Sequence, residues 1–316
     1  MKGLFLALGI LFFSTADAQY PSKPLRLIVP FAPGGSTDIF ARLIADRAQG
    51  PLGQTLIVEN RAGAAGNIGA EAVVRSAPDG YTLLMATTGV MAINNALYKN
   101  MTYDAARDLE PVLFVASITN VLIVPTDLPA KSVAELIALA KKDPGKLSFA
   151  SSGAGSSTHM SAELFKSMSG TDILHVPYKG SGQALPDLMS GRVSMMFENA
   201  PGAVPHIKAG KVRALAVTGL RRSPALPDLP PVAETVAGYE SLSWSGIAVP
   251  AGTPRTIIER LNRDLNAVLT TPEMRAKLAE QGAETIGGPP EAFAQHIRAE
   301  REKWSRVIKT ANIVVN

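Results

Sequence analysis

Read for polarity alone, the chain alternates between two kinds of segment. Short, solid apolar runs suit strands buried on both faces. They fall at residues 25–29, 55–59, 82–86, 113–117, 120–125, 147–150 and 193–197. Between them lie longer runs whose apolar residues return every three or four positions, the mark of a helix packed by one side. Residues 37–49, with Ile39, Phe40, Leu43 and Ile44 on one face, are the clearest; 68–75, 132–141, 158–168, 257–269, 272–281 and 290–309 follow. Ser132 with Glu135 three positions later spells a capping box. The alternation predicts an α/β fold with a largely parallel sheet.

Two extended stretches, 120–129 and 241–250, read as crossings between two lobes. The expected division is 19–122 with 247–316 as lobe 1, and 123–246 as an inserted lobe 2. One continuous doubly wound domain is the alternative. A local echo favours two lobes: Gly34-Gly35-Ser36-Thr37-Asp38-Ile39 resembles Gly155-Ser156-Ser157-Thr158-His159-Met160. Each follows a strand and opens an amphipathic helix, so the same device is used once per lobe.

The first 18 residues differ in kind: Lys2, an apolar stretch over 3–13, and Ala16-Asp17-Ala18 form a secretory signal with cleavage expected after Ala18. No later stretch has the ~18 uninterrupted apolar residues of a membrane span. The mature chain is therefore expected to be periplasmic and soluble.

Composition narrows the chemistry. With 316 residues, 46% of them hydrophobic and 18% charged, the chain has material for two cores. The net charge of +4 comes from scattered Lys and Arg, which excludes a nucleic-acid face. There is no cysteine, hence no disulfide, thiolate metal site or cysteine nucleophile. The four histidines form no HExxH, G-x-S-x-G is missing, and 153–158 matches only the first two glycines of a dinucleotide fingerprint. No enzyme activity, metal or cofactor is expected. The rival is an exported hydrolase in which His159 serves Ser156 or Ser157 as base.

The loops carry the candidate chemistry. A helix start leaves amides unpaired and favours negative charge, glycine lets a ligand approach, and hydroxyls add neutral donors. Two such starts facing each other would grip a carboxylate without Arg or Lys. Ordinary capping by Ser36 or Ser157 is the competing reading of either loop alone. Asp38 fits three roles: an i,i+4 pair with Arg42, a water holder, or an acceptor for a ligand amine. In a third loop, 60–69, Asn67 suits the cap of the next helix. A fourth, 175–182, offers Tyr178 and Lys179 beside glycines, with a core edge and a solvated charge as the plainer readings.

PFAPGGSTDIFAR, ENRAGAAGNIGAE, SSGAGSSTHMSAELF and HVPYKGSGQALPDLMSGRVSMMF together resemble the motif set of the Bug-type receptors, the binding proteins of tripartite tricarboxylate transporters. The resemblance runs through nearly the whole mature chain. It implies a two-lobed periplasmic-binding-protein fold, type II-like, with a two-strand hinge. It further implies a monomer that closes on a small mono-, di- or tricarboxylate and docks on a membrane permease; a sensor built on the same fold is the alternative.

By motif, the resemblance assigns Phe31, Ala32, Gly34, Gly35, Ser36, Thr37 and Asp38 to the first-lobe wall. Ser152, Gly155, Ser156, Ser157 and Thr158 form the second-lobe grip, with Tyr178, Lys179 and Gly180 beside it. Thr87 and Thr88 fall at the cleft floor. Glu198 and Asn199 end a strand there, and Glu198 stands where many relatives carry Asp.

Overall fold

A computed structural model describes residues 20–310 and residue 313; the signal expected at 1–18 lies outside them. Ten strands build the frame: β1 Leu25–Val29, β2 Leu56–Asn60, β3 Thr82–Thr87, β4 Leu109–Val124, β5 Ser148–Ser151, β6 Leu174–Pro177, β7 Met195–Asn199, β8 Arg213–Val217, β9 Leu242–Pro250 and β10 Ala283–Thr285. The helices are α1 Ser36–Leu52, α2 Asn67–Val74, α3 Asn94–Leu97, α4 Ala105–Asp108, α5 Val133–Lys142, α6 Ser157–Ser169, α7 Ser181–Met189, α8 Ala200–Lys208, α9 Arg255–Leu269, α10 Pro272–Glu280 and α11 Pro290–Thr310.

The sheet is mixed rather than largely parallel. Parallel pairs sit at its ends, β1 with β2 and β3, and β5 with β6 and β7. The centre is antiparallel: β9 lies between β3 and β4, and β4 also pairs with β7, β8 and β10. The sequence reading split β4 in two. It is one strand of 16 residues that runs through both halves of the molecule. Leu109 to Thr119 pair with β9, whereas Asn120 to Ile123 pair with β7. The return crossing comes where Ser241 donates to the Thr218 carbonyl and β9 begins at Leu242. Pairing thus changes partners at 119–120 and 241–242. Buried polar residues sit at both crossings, Asn120 at the first and Ser241 and Ser243 at the second.

Each half of the sheet is covered on both faces. In the first, α1 and α9 pack Phe40, Ile44, Leu261 and Leu265 against Leu25, Leu27 and Met85. On the other face α11 packs Phe293 and Trp304 against Phe114 and Trp244. In the second half, Leu122 and Val124 face Leu136 of α5 and Phe165 of α6. Their neighbours Val121 and Ile123 face Leu185 of α7 and Val204 of α8. That alternation is the period of two along β4. The helix α8 escapes a reading by periodicity because it contains Pro201, in the first turn where a missing amide costs little, and Pro205 in its interior.

Candidate ligand-binding site

The starts of α1, α6, α7 and α8 all follow strands and come together where the two halves meet. The chain enters α1 through Gly34 in a left-handed conformation, φ +83°, and extended Gly35. No side chain caps α1, α7 or α8. Ser36 is the first residue of α1, and its hydroxyl reaches across the cleft. It donates to Glu198 Oε1 at 3.4 Å and accepts from the Gly202 amide at 3.1 Å. In the second loop capping falls to Ser156, whose Oγ accepts from the His159 amide at 3.2 Å and donates to the Gly153 carbonyl at 2.6 Å. Ser157 is thereby left to face the gap.

That gap is a cavity of about 20 Å³. Phe31, Gly35, Ser36, Thr37, Thr87, Gly89, Ser243 and Ser245 line it from the first half; Ser152, Ser156, Ser157, Ser181 and Asn199 line it from the second. None of them is charged. The Thr87 hydroxyl is buried and has no hydrogen-bond partner. A buried unpaired hydroxyl costs roughly 1–3 kcal/mol. Gly89, Ser181, Ser243 and Ser245 were not foreseen. Ser243 and Ser245 carry the one legible signal, a period-2 row on an extended run.

The remaining expected residues lie at the rim or behind the wall. At the rim, the Ala32 amide donates to the Lys179 carbonyl at 3.3 Å, and Gly180 packs against Ala32. The Lys179 side chain is exposed. Tyr178 donates its hydroxyl to Asp187 Oδ2 at 2.7 Å. Behind the wall, Thr88 exchanges hydrogen bonds with the Trp244 backbone. Thr158 Oγ1 accepts from the Ser152 amide at 2.9 Å. The Gly155 amide donates to His159 Nδ1 at 3.1 Å. The Ser156 hydroxyl gives its proton to the Gly153 carbonyl and not to the His159 ring, so the serine–histidine pair of a hydrolase is not formed there.

The two acids have opposite surroundings. Asp38 accepts from the Gly34 amide, Arg42 and Asn60 at 2.9–3.0 Å. Burial pushes its carboxyl up, but these hydrogen bonds outweigh burial and hold it below the ordinary range. Of its three possible roles, the pair with Arg42 is the one formed. Glu198 is fully buried and meets only neutral groups, including Ser181 Oγ at 2.6 Å. Burial raises its carboxyl to about 7, against the lowering effect of hydrogen bonds from Ser181, Ser36 and a backbone amide. Asn67 does not cap α2: Gly66 precedes the helix, and Asn67 Oδ1 accepts from Asn94 and Tyr103 instead.

Residues 40–313 match the family described as tripartite tricarboxylate transporter family receptor. The chain is 38% identical over 311 residues to Protein BugT of Bordetella pertussis, covering 97% of this chain and 95% of the relative. Among solved structures, R. palustris Rpa4515 with adipate superposes with a TM-score of 0.91 at 44% identity, covering 93% of this chain and 99% of that one. MatC (Rpa3494) from Rhodopseudomonas palustris with bound malate superposes with a TM-score of 0.88 at 31% identity, covering 92% and 100%. The resemblance read from the four loop motifs is borne out, and with it the periplasmic-binding-protein fold. This chain belongs to the receptor family of the tripartite tricarboxylate transporters.

Proposed function

We propose that the protein captures a small carboxylate between its lobes and delivers it to a tripartite tricarboxylate-type permease. The observation that carries this reading is the cavity itself. Its wall is made of helix starts and hydroxyls, holds one buried unpaired hydroxyl at Thr87, and contains no charge. Amides at a helix start favour an anion, and neutral hydroxyls add donors to it. Each charge-assisted hydrogen bond contributes roughly 1.5–3 kcal/mol. A few of these, less ordering costs, reach micromolar affinity, about −8 kcal/mol. The adipate and malate held by two of its structural relatives support the same class of ligand.

In this reading the contact of the lobes is the closed form. A cavity of about 20 Å³ admits a group the size of one water, so a dicarboxylate enters only when the lobes part. Closure around the ligand then presents one rigid surface to the permease. The leader of residues 1–18 would place the receptor in the periplasm, and it would act as a monomer.

The test is a thermal-shift screen of the mature protein against linear dicarboxylates, hydroxy acids, tricarboxylates, neutral sugars and cations. Carboxylates should raise the midpoint by mass action. Ser157→Ala should weaken binding of the best acid about tenfold, the loss of one charge-assisted bond. Stabilisation by sugars or cations alone sinks the reading.

A further inference from the structure

Glu198 is a buried carboxyl at the seam of the two lobes, just behind the cavity wall. Its oxygens meet Ser36 of α1 and Ser181 of α7, and both serines line the cavity. The start of α8 presses on it from a third side: a Cβ on Gly202 would lie 2.2 Å from Glu198 Oε1. No charged group of the packed helices hydrogen-bonds Glu198: on α1, Arg47 pairs with Glu273 and Asp46 is exposed. Asp38 pairs with Arg42 on α1, and Asp187 of α7 pairs with Arg192. His206 and Lys208 lie in the last turn of α8. Among the described residues no Lys, Arg or His forms an ion pair with Glu198.

Hydrogen-bond accounting makes this arrangement consequential. An ionised carboxylate only accepts, so Ser36 and Ser181 must each give it their single hydroxyl proton. Both serines then show the cavity lone pairs alone, and Ser36 already accepts from the Gly202 amide. An incoming anion meets two acceptors. A protonated Glu198 reverses one of these bonds. Its O–H donates to Ser181 Oγ, and the Ser181 proton turns toward the cavity. Ser36 continues to donate to the other oxygen. Nothing moves but a hydroxyl rotor and one proton from solvent.

We propose that capture of a carboxylate is coupled to uptake of one proton by Glu198, relayed to the ligand through Ser181. The inference rests on the carboxylate reading above. Burial already lifts the Glu198 carboxyl to about 7, so the coupled range begins near neutrality.

Calorimetric titration with adipate, malate and citrate from about pH 7 to about pH 9 tests it. The wild-type affinity should fall by up to tenfold per pH unit. The binding heat should vary with the ionisation enthalpy of the buffer, reporting a proton taken up. Glu198→Gln offers a permanent donor to Ser181 and an acceptor to Ser36, so its affinity should be independent of pH. Ser181→Ala should bind about tenfold more weakly at the lower pH and lose the slope, since the relayed donor is gone. Wild-type binding with no pH slope and no proton uptake overturns the coupling, as does an unchanged slope in Glu198→Gln. No binding of the three acids at any pH overturns the carboxylate reading itself.

Discussion

Histidines 159 and 175 and Glu198 show how burial assigns opposite work to titrating groups in one molecule. Burial holds His159 down to about 3 and His175 to about 4. Both stay neutral in the folded chain, while an unfolded histidine takes a proton below about 6.5. The unfolded state therefore binds more protons as the pH drops from about 6.5 toward 4, and stability falls, by about 1.4 kcal/mol per pH unit for His159. Glu198 has the reverse sign. Its folded value lies above the ordinary one, so ionising it between about 4.5 and 7 erodes stability, and acidification across that window restores it. Urea midpoints measured across this range should fall on acidification less steeply in His159→Gln, and more steeply in Glu198→Gln, than in wild type. The presence of Glu198, Ser36 and Ser157 was legible in the loop motifs. Thr87 being unpaired was not, because a hydroxyl's partners are set by chain segments far away in sequence.

At the scale of elements, helix starts do two jobs that share one vocabulary of Ser, Thr, Asn and Gly. Ser132 caps α5: its Oγ accepts from the Glu135 amide at 3.2 Å, and Glu135 accepts from the Lys131 amide at 2.7 Å. This box was plain in the sequence, since all its parts lie within five residues. Ser132→Ala should cost about 1 kcal/mol in a denaturant melt and leave ligand affinity unchanged. Ser157→Ala should do the opposite. The sequence does not separate the two jobs at 156–157, because adjacent serines offer the same group. The backbone decides: Ser156 is extended with φ −68° and ψ 161°, as a cap must be, while Ser157 is already helical. Likewise β4 looked like two strands because its long apolar run contains polar Ser117, Thr119 and Asn120, which lie at the crossing.

Over the whole molecule, the two halves are joined through β4 and the return into β9, and they meet across a seam of close backbone contacts. A Cβ on Gly89, in the first half, would lie 2.9 Å from the Gly155 carbonyl oxygen in the second. Gly89→Ala should therefore act as a wedge against closure. Ligand affinity should drop tenfold or more, as the competent state becomes scarcer. The thermal midpoint without ligand should change little, because neither core is touched. A midpoint loss equal to that of a core cavity would mean that the seam belongs to the fold and not to its closing motion.

The sequence by itself determined the α/β class, the amphipathic helices, the capping box and the Gly/Ser loops, together with the family those loops identify. Each of these is a property of residues within a few positions of one another, where spacing and side-chain type suffice. The tertiary structure alone decided that the sheet is antiparallel at its centre, that Asp38 is neutralised by Arg42, and that Glu198 is sealed beneath two serines. It also decided that the Thr87 hydroxyl in the cavity wall is left unpaired. These depend on burial and on contacts between distant segments, such as Ser36 with Glu198, 162 positions apart. No local pattern encodes the loss of water around a group, and that loss sets both its charge and its use.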